Sequence, residues 1–187
     1  MLRRGHGGQE PEQPGAPGPM GARGGVGGRY RMLQKLVSFG DDYWIENAHG
    51  SRVYFVDGKA FRLREHLGFQ DTQGNELAAI QERVMRIKDT YRIYRKGNVL
   101  ATVKKVLISP LLQNFEVHVA GRMNMEAQGN MFDYEYEIHE GRRKVAEVSR
   151  KWFRVADNYG VDIVPGADEI LVLAITVVID MMLDQAK

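Results

Sequence analysis

Seventeen consecutive residues near the C-terminus, Ala167-Asp168-Glu169-Ile170-Leu171-Val172-Leu173-Ala174-Ile175-Thr176-Val177-Val178-Ile179-Asp180-Met181-Met182-Leu183, constrain the fold more than any other part of the chain. The uncharged run from Ile170 to Ile179 is 10 residues long, against the roughly 20 that a bilayer-spanning helix needs. Burial inside protein is therefore expected. Asp168 and Glu169 follow Pro165-Gly166 and suit the positive end of a helix, and a helix over about 167–183 would be roughly 25 Å long. The β-branched cluster Ile175 to Ile179 favours a strand on propensity, but the length of the run favours a helix. A helix apolar on every side must be wrapped in core on every side.

The rest of the chain supplies material for such a wrapping. From Tyr30 onward the dominant pattern is period-two alternation, the mark of half-buried strands. Phe115, Val117 and Val119 alternate with Glu116 and His118, and Phe61 and Leu63 alternate with Arg62 and Arg64. In Phe132-Asp133-Tyr134-Glu135-Tyr136-Glu137-Ile138, four large apolar residues are expected on one strand face and three carboxylates on the other. Turn signals separate these runs at Asp57-Gly58, Gln73-Gly74-Asn75, Lys96-Gly97-Asn98, Gln128-Gly129-Asn130 and Glu140-Gly141. Successive hairpins make an antiparallel meander, and irregular spacing of the turns disfavours a solenoid or propeller. A sheet of about ten strands or more curls and closes, because open edges template aggregation. The predicted fold class is mainly β, a closed antiparallel barrel with the apolar helix inside.

Residues 1–28 differ from this. They hold 10 of the 21 glycines and 4 of the 6 prolines, with too little apolar surface to offset the entropy of ordering, so a disordered tail is expected before a folded domain at 29–187. No apolar h-region follows Arg3 and Arg4, so the tail does not read as a signal peptide. The absence of cysteine excludes disulfide scaffolds, thiolate metal sites and Cys nucleophiles, and gives a cytoplasmic location as the default expectation. A net charge of +2 in 187 residues excludes a protein defined by bulk basicity. Any cationic site must be local.

The segment Ala156-Asp157-Asn158-Tyr159-Gly160-Val161-Asp162-Ile163, followed by an apolar helix ending Val178-Ile179-Asp180-Met181-Met182, resembles the C-terminal signature of the LURP-one-related family and of its relatives, the phospholipid scramblases. Val53-Tyr54-Phe55-Val56-Asp57-Gly58 and Tyr91-Arg92-Ile93-Tyr94-Arg95-Lys96-Gly97 are similar to that family's hairpins, and the resemblance covers about residues 30–184. It implies a tubby-like fold, a closed antiparallel barrel of about twelve strands threaded by a hydrophobic C-terminal helix. Such an interior leaves no room for a small-molecule pocket, so function is expected on the exterior.

Catalytic motifs are missing: there is no G-x-S-x-G, P-loop, H-E-x-x-H, or G-x-G-x-x-G after a strand. His49, His66, His118 and His139 fall in separate hairpins and His6 in the tail, which predicts no shared metal site. The scramblases carry a proposed calcium motif in the stretch corresponding to Asp157, Asp162, Asp168 and Glu169. Here Pro165-Gly166-Ala167 stands where further acidic residues would follow, so these carboxylates read as helix-start and strand-end groups, and no cofactor is expected.

Basic residues form short runs: Arg83, Arg86 and Lys88; Arg92, Arg95 and Lys96; Lys104 and Lys105; Arg142, Arg143 and Lys144; Arg150, Lys151 and Arg154. If adjacent hairpins bring Lys104 and Lys105 beside Arg142, Arg143 and Lys144, the five form an anion patch for a phosphate head group or a nucleic-acid backbone. The same runs also read as solvated faces balanced by Asp133, Glu135, Glu137 and Glu147. Tubby proteins bind phosphoinositides on the barrel exterior, so the resemblance implies an anionic phospholipid or membrane surface as partner. Trp44 and Trp152 read as barrel core. The sequence-level reading is a non-enzymatic binding module peripheral to a membrane, ahead of a nucleic-acid or protein adaptor, a scramblase-like lipid activity and an enzyme. Deleting residues 1–28 is expected to leave the thermal midpoint almost unchanged in a calorimetric scan, whereas a loss of several degrees would show that the tail packs on the domain.

Overall fold

A computed structural model of the chain describes residues 27–33, 42–58, 66–82, 90–109, 112–152 and 158–184. Among the described residues, twelve strands and one helix follow in sequence: β1(Gly28–Leu33), β2(Tyr43–Asn47), β3(Arg52–Asp57), β4(His66–Asp71), β5(Glu76–Glu82), β6(Thr90–Arg95), β7(Asn98–Ser109), β8(Leu112–Val119), β9(Met125–Asn130), β10(Glu135–Glu140), β11(Arg143–Ser149), β12(Asn158–Ile163) and α1(Glu169–Asp184). Each strand pairs antiparallel with its sequence neighbour, and β1 closes the barrel against β12. The closing register runs from Gly28 opposite Ile163 to Leu33 opposite Asn158.

The alternation in the sequence places the wall correctly where it is clean. Phe115, Val117 and Val119 turn inward and are buried, while Glu116 and His118 are exposed. Tyr91 and Ile93 on β6, with Ala101 and Val103 on β7, complete that side of the sleeve. Inside runs α1, whose residues Leu171 through Leu183 are all 2% exposed or less. Two polar side chains travel with it. Thr176 donates to the Val172 carbonyl at 3.0 Å, and Asp180 accepts a hydrogen bond from the Tyr134 hydroxyl, so neither enters the core unsatisfied. Burial, and then the charge of Asp180, push the Tyr134 and Tyr136 phenols far above their ordinary titration range.

The connections sort by end. The turns β2–β3, β4–β5, β6–β7, β8–β9 and β10–β11 all lie at the end where α1 begins, because β12 ends at Ile163 beside the first residue of β1 and every neighbour runs antiparallel. Two of them are two-residue tips, Lys96-Gly97 and Gly141-Arg142; the first, with φ of 51° and 75°, has the type I′ geometry whose twist matches the flanking strands.

Several details differ from the sequence reading. The Phe132–Ile138 run is not one strand: residues 131–134 turn, Tyr134 takes φ 54°, and β10 begins only at Glu135, leaving Phe132 47% exposed. Gln128-Gly129-Asn130 is not a turn but the end of β9. Trp44 and Trp152 are not core. Trp44 lies on the outer face against Phe55 with ring centroids 4.9 Å apart, and Trp152 lies under the Arg29 guanidinium. The helix starts two residues later than predicted, with Asp168 as its cap, and β1 starts at Gly28, one residue before the predicted boundary. Residues 1–26 and the Phe61–Arg64 alternation lie outside the described residues.

A charge placed among the α1 side chains would have no solvent route and no partner, at a cost of several kcal/mol, comparable with the roughly 5–15 kcal/mol stability of a domain. Val177→Asp is therefore expected to be insoluble or to lose the far-UV strand signal. Recovery of a soluble Val177→Asp protein with native strand content would refute the buried-helix architecture.

Candidate functional site: the rim where the helix enters

The barrel interior is occupied, so surface features decide what the molecule can bind. At the turn-bearing end the segment after β12 crosses the barrel mouth and becomes α1, and two carboxylates fix it there. Asp168 is the helix cap: its Oδ1 accepts from the Leu171 backbone N–H at 3.2 Å. Both its oxygens also accept from Arg95, at 2.8 and 2.7 Å, in the planar two-point geometry that suits guanidinium and carboxylate. Arg122 adds a second guanidinium at 3.6 Å. Burial pushes the Asp168 carboxyl up, but Arg95, the cap bond and Arg122 outweigh it, and the group titrates below the ordinary carboxylate range. Glu169 beside it accepts from the Tyr54 hydroxyl and is also hydrogen-bonded by Tyr30. Burial and then Glu169 raise both phenols far above their usual range, so they stay neutral donors.

Around this plug three hairpin tips stand together. The β8–β9 tip is tied to β7 by the Ala120 N–H on the Leu100 carbonyl at 2.9 Å. It is tied to the β10–β11 tip by the Gly141 N–H on the Asn124 carbonyl at 3.3 Å. Met123 lies over Gly141, whose φ of 58° is in the left-handed region that favours glycine. Arg143 donates to the Pro165 carbonyl at 3.1 Å. The arc therefore presents Lys96, Arg122, Arg142 and Arg143, with Met123 projecting 63% exposed among them. Across the mouth the β4–β5 tip carries Asp71 and Glu76, and hydrogen bonds from Asn75 hold the Asp71 carboxyl below its usual range.

The five residues predicted as one anion patch do not lie together. Lys104 and Lys105 are on β7, and Arg142, Arg143 and Lys144 are on the β10–β11 hairpin. Strands β8, β9 and β10 intervene, so about 19 Å of wall separates the groups at roughly 4.8 Å per strand. Lys104 and Lys105 also face opposite ways: Lys104 is opposite Glu116 on the outer face, and Lys105 is opposite the inward-facing Phe115. Lys144 is held by two carboxylates, Glu137 and Glu147, each at 3.0 Å, which raise its pKa. Arg142 and Arg143 remain at the rim. The sequence reading missed Arg122, which stands alone between uncharged neighbours, and the pairing of Arg95 with Asp168 across 73 residues.

The acidic set also separates. Asp162 pairs with Arg29 at 2.9 Å on the outer wall, Asp168 and Glu169 fix the helix start, and Asp157 lies outside the described residues. Among the described residues no group of three or more His, Asp or Glu side chains could hold a metal ion, and no helix is long and apolar enough to cross a membrane.

The sequence profile of the LURP-one-related family matches residues 29–180, nearly the whole described barrel and its helix. The chain belongs to the LURP-one-related family. It is similar to the uncharacterized protein YxjI of Bacillus subtilis (strain 168), at 29% identity over 153 residues, covering 81% of this chain and 91% of YxjI. An X-ray structure of a protein from Arabidopsis thaliana shares the fold with a TM-score of 0.61 at 18% identity, over 85% of this chain and 92% of that one. The predicted family and the helix-filled antiparallel barrel both stand.

Asp168 is ionised more readily in the folded chain than in the unfolded one, so it contributes stability that is present at neutral pH and lost as pH falls below about 4. Asp168→Asn keeps a capping side chain but removes the charge. Its thermal midpoint should fall less steeply than that of the wild type on acidification through this range. Parallel acid profiles would show that the Arg95 pair carries no charge-dependent stability.

Proposed function

We propose that this LURP-one-related chain is a non-enzymatic binding module that docks on anionic, phosphate-bearing surfaces through the cationic rim around the helix start. The observation that carries the reading is the convergence of three hairpin tips that bring Lys96, Arg122, Arg142 and Arg143 around an exposed Met123. Exposed cations with one projecting apolar side chain suit an anionic lipid surface: the guanidinium groups meet phosphates and the thioether enters the head-group layer. The filled interior supports a role in binding rather than catalysis, since substrates are usually enclosed in apolar cavities. Nucleic acid is the weaker partner, because the outer wall beside the rim is acidic, with Glu116 opposite Glu126 and Glu137 opposite Glu147. Lys104, Lys105 and Lys144 contribute to the field at longer range, whereas Arg142 and Arg143 are the members of the predicted patch that would touch phosphate.

The test is co-sedimentation with vesicles of phosphatidylcholine alone and of phosphatidylcholine mixed with phosphatidylserine. Binding should require the anionic lipid and weaken with salt, since exposed charges are screened over about 8 Å near physiological ionic strength. At about 1 kcal/mol per cation near the surface, Arg122→Glu with Arg142→Glu and Arg143→Glu should reduce partitioning by roughly two orders of magnitude or more. Equal binding to neutral vesicles would overturn the reading.

A further inference from the structure

The barrel wall is not evenly sealed. Strands β8 and β9 pair over only three positions, Phe115 with Ala127, Glu116 with Glu126 and Val117 with Met125. Both strands continue beyond that point, each with its other neighbour. On β8, Asn114, Gln113 and Leu112 remain paired with Val106, Leu107 and Ser109 of β7. On β9, Gln128, Gly129 and Asn130 remain paired with Glu137, Tyr136 and Glu135 of β10. Beyond it the two ribbons are no longer paired with each other, which leaves a notch whose near end is held by Asn114 donating to Glu126 at 3.0 Å. Gly129 borders the notch: at φ 140° it approaches β10 so closely that a Cβ would lie 2.6 Å from the Glu135 carbonyl oxygen. A groove of about 590 Å³ follows the notch, with Asn114, Gln128 and Gly129 on its sides and Glu135, Glu137 and Glu147 along its length.

Among the described residues no strand lies beside the inner edges of Leu112–Asn114 and Gln128–Asn130. Such an edge is a template for an added strand. The chemistry of the surrounding wall narrows what that strand would be. Glu137 stands directly opposite Glu147, and Glu147 opposite Asp162, an arrangement of like charges that costs stability in a sheet. Lys144 bridges Glu137 and Glu147, and Lys151, 80% exposed, reaches Glu135 at 3.4 Å, so three carboxylates share two ammonium groups along the groove.

We propose that this notch takes an extended basic segment of a partner protein as an added strand on the β9 edge. Backbone groups of the segment pair with Gln128–Asn130. Alternate side chains point outward beside Gln128 and Asn130, toward the groove carboxylates Glu137 and Glu135 on the next strand and Glu147 beyond them, which selects Lys or Arg. The intervening ones fall beside the exposed Gly129 at the edge of the wall, which selects small apolar β-formers. The site shares no residue with the cationic rim and does not depend on the lipid reading.

The experiment is fluorescence anisotropy of the full chain with a labelled synthetic peptide of alternating Lys and Val. Three comparison peptides accompany it: one alternating Glu and Val, a Lys/Val scramble without alternation, and the Lys/Val peptide N-methylated at every second backbone nitrogen. Only the alternating basic peptide should bind, and N-methylation should weaken it by about tenfold or more through lost backbone hydrogen bonds. Glu137→Gln with Glu147→Gln, at two positions each 43% exposed, should keep the thermal midpoint and weaken binding by a similar factor. Arg142→Glu, on the rim, should leave binding unchanged. Absence of binding, equal binding of the N-methylated or scrambled peptide, or insensitivity to the Glu137/Glu147 change would overturn the proposal. Several-fold tighter binding by a chain lacking residues 1–26 would overturn it in favour of the chain's own N-terminal segment as occupant, and unchanged binding would support the partner strand.

Discussion

The structure depends on one burial: an α-helix with almost no polar surface enclosed by a sleeve made from the same chain. Neither part is stable alone. An isolated α1 would expose Leu171 through Leu183 to water, and an empty twelve-strand barrel would enclose a void lined by Phe69, Phe115, Tyr91 and Ile93. Protein interiors are packed like organic crystals, so the sleeve needs its plug as much as the plug needs its sleeve. The two polar groups that the helix carries inside, Thr176 and Asp180, are satisfied locally, because a low dielectric makes an unpaired group costly.

That burial also determines where function can lie. With the interior filled, the chain meets other molecules through its rim and its outer wall, and these carry opposite charge. The rim around the helix start collects guanidinium groups on three neighbouring tips, one of which, Arg95, is held by Asp168 and serves the plug rather than a ligand. The wall over β8 to β12 carries carboxylates in register, partly neutralised by Arg29, Lys104 and Lys144. A near-neutral total therefore conceals a molecule with one basic end and one acidic flank.

Local pattern was legible in the sequence wherever one physical cause dominated. The Phe115–Val119 alternation reports a strand with one wet face, which appears as read, and the Ile170–Ile179 run reports complete burial, which holds from Leu171 onward while Ile170 is partly buried. Tyr134 was misread because its buried ring and left-handed backbone mimic an alternating strand position while it sits in a turn. The patch was misplaced for a different reason. Adjacency around a barrel follows strand order and facing, so Lys104 and Lys105 part to opposite sides of the wall although they are neighbours in sequence. Arg95 and Asp168, 73 residues apart, meet because closure brings them to the same mouth, and no spacing rule in one dimension encodes that.

Closure has a consequence for how the chain acquires its structure. The seam joins β1 to β12, and the Arg29–Asp162 contact across it spans 133 residues. Every hairpin from β2 to β11 can form from near neighbours, yet none of them gains a core until β12 and α1 arrive, since the apolar inner face has nothing else to pack against. During synthesis from the N-terminus the meander must wait, its inner face and the β1 edge exposed, for the last elements to emerge. Loop-closure entropy and long-range pairing then fall in a single late step, which makes folding slow and strongly cooperative. The interval before that step is the period when the nascent barrel is most open to mispairing with another copy or to capture by a chaperone.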